Sequence, residues 1–215
     1  MSEERRSSWP VIEGLLVLTL TLIISTGLQL PTLWFLVPLV LITVTGRPYE
    51  EYGLTLRNPG SLLFHAIVSL AIFLPYAFGH YIFEYLTAGA TFSLRLPEHF
   101  AADIVDQTLI VALPEEFFFR GYLQTQFDKT FGRPHKFLRA DVGLGLPLAA
   151  AVFALCHVPF GGPPRMIVFF PGLLYGWLRA RTDTIVVPTL YHAASNVLMK
   201  VMIASLIHAQ LGLWP

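Results

Sequence analysis

Apolar runs long enough to cross a lipid bilayer, separated by polar connections, constrain this chain more than any other feature. A helix spanning lipid needs about 20 mostly apolar residues. Candidates are Val11–Leu28, Pro31–Thr45, Ser61–Leu86, Ile104–Leu123, Gly143–Val158, Arg165–Ala180 and Thr184–His208. The second and fifth are short, which suits tilted or partly re-entrant segments. Gly27–Pro31 predicts a tight turn that makes a hairpin of the first two. Composition points the same way. The 215 residues are 54% hydrophobic and 13% charged, about half the charged fraction of soluble domains. That leaves too little polar surface to cover a globule in water. The formal net charge is zero, so nothing in it attracts nucleic acid. The expected fold class is an all-α polytopic membrane protein with about seven transmembrane helices, forming one domain over residues 1–215.

The connections set the orientation. Arg47–Gly60 is rich in Pro, Gly and charge, and Thr87–Asp103 is a longer loop containing Pro97. In Tyr122–Asp141, Phe127, Phe131, Phe137 and Leu138 interleave with Lys129, Arg133, Lys136 and Arg139. That pattern fits a segment lying on the membrane surface, and equally a solvated loop. Met1–Ser8 is charge-balanced and no small-residue cleavage site stands near Thr26–Leu30, so the first run reads as a retained span rather than a signal peptide. Basic residues gather on cytoplasmic loops. With the N-terminus inside, the inner segments hold Arg5, Arg6, Arg47, Arg57, Arg120, Lys129, Arg133, Lys136, Arg139, Arg179 and Arg181. The outer loops hold only Arg95 and Arg165, and Lys200 falls within the last span. The expected location is a cytoplasmic membrane, with a prokaryotic host suggested by the compactness of the chain.

Ionisable side chains within a span cost at least about 2.5–3.5 kcal/mol near its centre and mark functional sites. The fourth span reads Leu113-Pro114-Glu115-Glu116-Phe117-Phe118-Phe119-Arg120-Gly121. Two adjacent carboxyls in so apolar a setting do not both ionise cheaply. Arg120 follows Glu116 by four residues, so the two share a helix face, as a packing pair or as part of a site. Phe153 and His157 in the fifth span, and His192 and Asn196 in the seventh, repeat the same spacing. A histidine in such a place otherwise serves as a hydrogen-bonding partner between helices. At 1.5 Å per residue, Glu115, His192 and His157 lie roughly 16, 12 and 20 Å into their spans. In a core about 30 Å thick all three fall in the middle zone. A polar cavity among the fourth to seventh helices follows if these helices are neighbours.

The three patterns, in order, resemble the motifs of the CAAX-protease and bacteriocin-processing family, the type II CAAX prenyl endopeptidases or glutamic intramembrane proteases. The resemblance covers Ile104 to Lys200, and within the single membrane domain it divides residues 1–103, helices and loops, from a catalytic core over 104–200. It implies peptide-bond hydrolysis by a glutamate-activated water. On this resemblance Glu115 is the general base, and His157 helps hold or deprotonate the water. His192 and Asn196 line the oxyanion site, while Glu116, Arg120 and Phe153 support them. It implies no organic cofactor, and as partners a peptide or protein substrate in the membrane together with the bilayer. The chemistry is coherent in itself, since amide hydrolysis needs a base, oxyanion donors and a proton for the leaving amine. Phe117–Phe119 offer a lateral entry for an extended peptide, or are lipid-facing or packing residues.

Three other readings stay open. Cys156 adjoins His157, but adjacent helix residues point about 100° apart, and cysteine is commonly a small buried hydrophobe. Glu115, His157 and His192 could supply the three ligands usual at catalytic zinc, although no His-Glu-x-x-His pair exists. A membrane immunity or transport protein also buries carboxylates and histidines.

Overall fold

The computed structural model describes residues 7–55 and 61–207. Expectations resting on Met1–Arg6, Arg57 and His208 lie outside them. The chain is mostly helical. Helices α1 (Trp9–Leu28), α2 (Leu33–Val44) and α3 (Ser61–Ala88) come first. A continuous helical run over residues 100–131, here α4, follows. Then come α5 (Gly145–His157), α6 (Phe169–Thr182) and α7 (Val186–Ser205). A helix thus occupies each apolar run. Among the described residues, α1 is the one helix long and apolar enough to cross a membrane, and α2 and the stretch Gly145–Phe160 are shorter apolar helices. The sixth helix begins at Phe169 rather than Arg165, because Pro163–Val168 forms a 3-10 turn.

The apolar faces point outwards. In α1 the buried residues are Gly14, Thr21 and Ser25, whereas Leu16, Leu20 and Ile23 are exposed. A helix on a soluble core does the reverse. Gln29 ends α1 in the left-handed region at φ 54°, and α1 and α2 pack as the expected hairpin.

Helix α4 is the central element. Phe117, Phe118, Phe119 and Arg120 are all buried, and four consecutive helix residues cover every face. Trp34 packs on Phe118 and Phe119 with ring centroids 4.7 and 5.2 Å apart. Phe35 meets Phe117 at 4.7 Å. These phenylalanines are therefore core residues, which fits packing rather than a lateral entry. The run is not uniformly α-helical. Asp106–Ala112 and Phe117–Leu123 are wound as wider π-helix, on either side of the α-helical turn Leu113–Glu116.

Two polar devices fix α4 to its neighbours. The carboxylate of Glu13 on α1 accepts two bonds from Arg47, at 2.6 and 2.8 Å, one from the Tyr122 hydroxyl at 2.8 Å and one from Gln126 at 2.6 Å. On the α6 side, Arg120 and Gln124 donate to the carbonyls of Gly172 and Gly176 at 3.4 and 3.2 Å. Both pairs have i,i+4 spacing, so the donors run alongside the acceptors. Glycine makes this possible. A Cβ at Gly172 would meet Arg120 Nη2 and the Ala150 Cβ, each at 3.3 Å. One at Gly176 would meet Gln124 Oε1 at 2.9 Å.

The segment Tyr122–Asp141, expected as a surface segment or loop, divides into two. Helix continues to Phe131, and strands β2 (His135–Phe137) and β3 (Ala140–Val142) then form an antiparallel hairpin, since Phe137 pairs with Ala140. Leu138 and Arg139 make its tip at φ 45° and 66°. Strand β1 (Thr91–Phe92) pairs with β4 (Leu206–Ile207), tying the loop after α3 to the end of α7.

Candidate active site

Glu116 and Arg120 are completely buried and joined by a 2.9 Å ion pair between Glu116 Oε1 and Arg120 Nη1. A buried pair persists only where geometry and further hydrogen bonds offset the desolvation. Here the Arg120 guanidinium lies 4.1 Å from the centroid of the Phe153 ring and 5.3 Å from that of Tyr175. Glu116 Oε1 also meets His192 Nδ1 at 2.8 Å. The other nitrogen of that ring, Nε2, stands 3.8 Å from Glu115 Oε2. One imidazole thus lies between the two adjacent glutamates, hydrogen-bonded to Glu116 and facing Glu115. Its plane is held by stacking on Tyr175, with centroids 5.1 Å apart at 17°, and by Phe153 edge-on at 5.9 Å. Tyr175 is itself fixed by donating to Ser195 Oγ at 2.8 Å.

The carboxyls differ in surroundings. Glu116 is fully buried and engaged, while the Glu115 side chain is 24% exposed. Glu115 Oε2 and Glu116 Oε2 each have no hydrogen-bond partner among the described residues, so the engagement of Glu116 runs through its Oε1 alone. In α5, His157 Nδ1 lies 2.8 Å from the Phe153 carbonyl oxygen. A carbonyl only accepts, so Nδ1 carries the proton. In the neutral ring Nε2 then keeps its lone pair. Phe153 therefore joins both histidines, since its ring also lies 4.4 Å from that of His157. Asn196 sits one turn along α7 from His192, and its Nδ2 donates to Gln107 Oε1 at 3.0 Å. A turn further, Lys200 pairs with Asp103 at 2.6 Å.

The structure thus brings Glu115, Glu116, Arg120, Phe153 and His192 into direct contact or facing positions. His157 joins through Phe153, and Asn196 through its place on α7. Gln107, Tyr175 and Ser195 are site residues that sequence reasoning missed. Ser195 lay within the His192–Asn196 string, and Gln107 was visible only as a polar residue in an apolar run. Cys156 packs against an apolar cluster that includes Phe119 and Phe153. Among the described residues, no group of three His, Cys, Asp or Glu side chains is placed to hold a metal ion.

A cavity of about 490 Å³ is lined by Glu50, Glu51, Asp128, Arg179, Asp183 and Arg120, among others. Of the site residues it touches only Arg120. It is not the cavity expected around Glu115, His157, His192 and Asn196.

Residues 97–198 match the sequence model of a family described as type II CAAX prenyl endopeptidase, Rce1-like. The match includes all seven residues singled out from the sequence. No curated protein and no solved structure matches the chain. The family so matched is one of membrane-embedded peptidases. Over residues 97–198, just under half of its length, the chain is similar to the Rce1-like family.

Proposed function

We propose that the protein is a glutamate-dependent intramembrane endopeptidase, and that the pair of contacts made by His192 is the observation that best supports this. A water resting between Glu115 and His157 gives its proton to the Glu115 carboxylate as its oxygen attacks the scissile carbonyl. The charge that develops on the carbonyl oxygen is met by N–H donors from Asn196 and His192. Glu116, which accepts from His192 Nδ1, stabilises the positive charge that a doubly protonated His192 would carry. When the C–N bond breaks, the proton held by Glu115 passes to the leaving amine, which balances the hydrolysis. Arg120 holds Glu116, and Phe153 holds Arg120 and both rings.

The same reading makes the chain a single multi-pass domain with its N-terminus in the cytoplasm. The outward-facing leucines of α1 and the expected asymmetry of basic residues support it. The substrate class is a membrane-associated peptide segment, a C-terminal or lipid-modified tail among them. The test is mass spectrometry of membrane and surface proteins from cells carrying the wild-type protein or Glu115→Ala. A terminus that appears only with the wild type identifies both activity and substrate. Identical termini in the two samples would refute the protease reading.

The zinc alternative keeps one observation in its favour. Each histidine commits Nδ1 to an acceptor, as metal-bound histidines do. Cleavage that survives a strong chelator excludes it, whereas loss restored by added zinc would replace the metal-free mechanism.

A further inference from the structure

We propose that Gln107 is a positioning residue that orients the Asn196 amide towards the reacting carbonyl. This rests on the endopeptidase reading above. An asparagine amide presents an oxygen at one end and two N–H bonds at the other, and only the N–H end serves an oxyanion. Its rotation must therefore be fixed. Three consecutive groups fix it here. The Asp106 carboxylate accepts from Gln107 Nε2 at 3.1 Å. An ionised carboxylate has only acceptors to offer, so the NH₂ end of Gln107 is drawn to Asp106. The oxygen of Gln107 consequently faces Asn196, whose Nδ2 donates to it at 3.0 Å. One N–H bond of Asn196 is used in this contact. The second is held in the same amide plane, free for the developing oxyanion.

The winding of α4 is what brings Gln107 to this place. In a regular α-helix the eight residues from Gln107 to Glu115 turn by about 800°, leaving the two side chains about 80° apart. The stretch Asp106–Ala112 is π-helical. Taking up one additional residue changes the phase by about 100°, which leaves Gln107 about 20° from the line of Glu115. Both then face α7, against which this stretch packs. Wide turns of this kind occur frequently at functional sites.

The test uses the full chain in detergent micelles. A peptide spanning a cut that Glu115→Ala abolishes serves as substrate. Gln107→Leu is expected to lower kcat about ten- to a hundredfold, with KM within about twofold. In an Asn196→Ala background the same substitution is expected to have no further effect, because Gln107 acts through Asn196. Gln107→Glu keeps an acceptor facing Asn196 and is expected to stay within about threefold of the wild type. This variant carries the test should Gln107→Leu fail to fold. Wild-type kcat for Gln107→Leu, an equal loss in both backgrounds, or a Gln107→Glu loss as deep as that of Gln107→Leu would each overturn the proposal. A second readout needs no substrate. The side-chain amide resonances of Asn196 are expected to shift in Gln107→Leu, and unchanged resonances would sink the proposal. Absence of any Glu115-dependent cut would remove the endopeptidase reading, while these resonances still report on the hydrogen bond itself.

Discussion

His192 is bonded to Glu116 through Nδ1 at 2.8 Å and turns its other nitrogen towards Glu115 at 3.8 Å. This divides the labour between two chemically identical neighbours. Glu116 Oε1 anchors both Arg120 and His192, whereas Glu115 only faces His192, and each carboxyl keeps one oxygen without a partner among the described residues. Their substitutions should therefore differ in kind. Glu116→Ala leaves a buried guanidinium without its carboxylate, which costs about 3–5 kcal/mol of stability. Glu115→Gln should change stability by less than about 1 kcal/mol while abolishing cleavage. Thermal unfolding in detergent, run beside a cleavage assay, separates the two. Equal destabilisation by both variants would show that the carboxyls share one structural role.

Arg120 and Lys offer the same charge in different shapes. The planar guanidinium bonds Glu116, reaches the Gly172 carbonyl and lies over the Phe153 ring at 4.1 Å. An ammonium cannot make all three contacts. Arg120→Lys should cost about 1–3 kcal/mol and lower activity through a looser His192, as read by unfolding and by kcat. A variant with wild-type stability would mean that the charge alone suffices.

Much of this arrangement was readable from spacing. The four-residue interval between Glu116 and Arg120 predicts their shared face, and they are paired. The intervals Phe153–His157 and His192–Asn196 likewise placed each pair on one face. What spacing cannot report is which atoms meet. The Phe153 carbonyl as the partner of His157, and the Phe153 ring as the partner of Arg120, depend on helix packing. Gln107 escaped notice because a regular helix would set it about 80° from Glu115, and only the wide turns of α4 bring them into line. Glu13 reads as one acidic residue near the end of an apolar run, and its four hydrogen bonds come from three residues on two distant segments, Arg47 after α2 and Tyr122 and Gln126 on α4. The His135–Val142 hairpin escaped because Leu138-Arg139 carries none of the Asn-Gly chemistry of such tips. The number of membrane crossings stays with the proposal, since helix and span are different statements.

Gly121 closes the motif that begins at Glu115, and its reason is steric. A Cβ there would stand 2.7 Å from the Tyr52 carbonyl oxygen and 3.0 Å from the Phe117 ring. The backbone neighbour cannot rotate away. Gly121→Ala should destabilise by about 1–3 kcal/mol, whereas Gly79→Ala, where nothing lies within 4 Å, should not. Equal midpoints for the two variants would show that the Tyr49–Tyr52 turn yields freely.

Cys156 tests the nucleophile question directly. It packs in an apolar cluster, and the Nδ1 of adjacent His157 is taken by the Phe153 carbonyl. Cys156→Ser should keep activity within about threefold, a margin suited to a small polar change in a packed site. Loss as deep as that of Glu115→Ala would reinstate a thiol mechanism.

Asp128 gives the fold a pH dependence away from the site. Burial pushes its carboxyl from 3.8 up to about 6, against the opposing pull of Arg133 and Arg179. Its Oδ1 is buried with no hydrogen-bond partner among the described residues. Between these two values the folded chain holds the proton and the unfolded chain releases it. Stability therefore falls as pH rises through that window, and the penalty is complete above about 6 and absent below about 3.8. A shift of this size corresponds to about 3 kcal/mol at most. Asp128→Asn removes the titration, so the variant should be more stable than the wild type at pH 8, with the advantage shrinking towards pH 4.5. Thermal midpoints of the two proteins in detergent across that range measure it. An advantage that does not vary with pH would mean that Asp128 is not the titrating group.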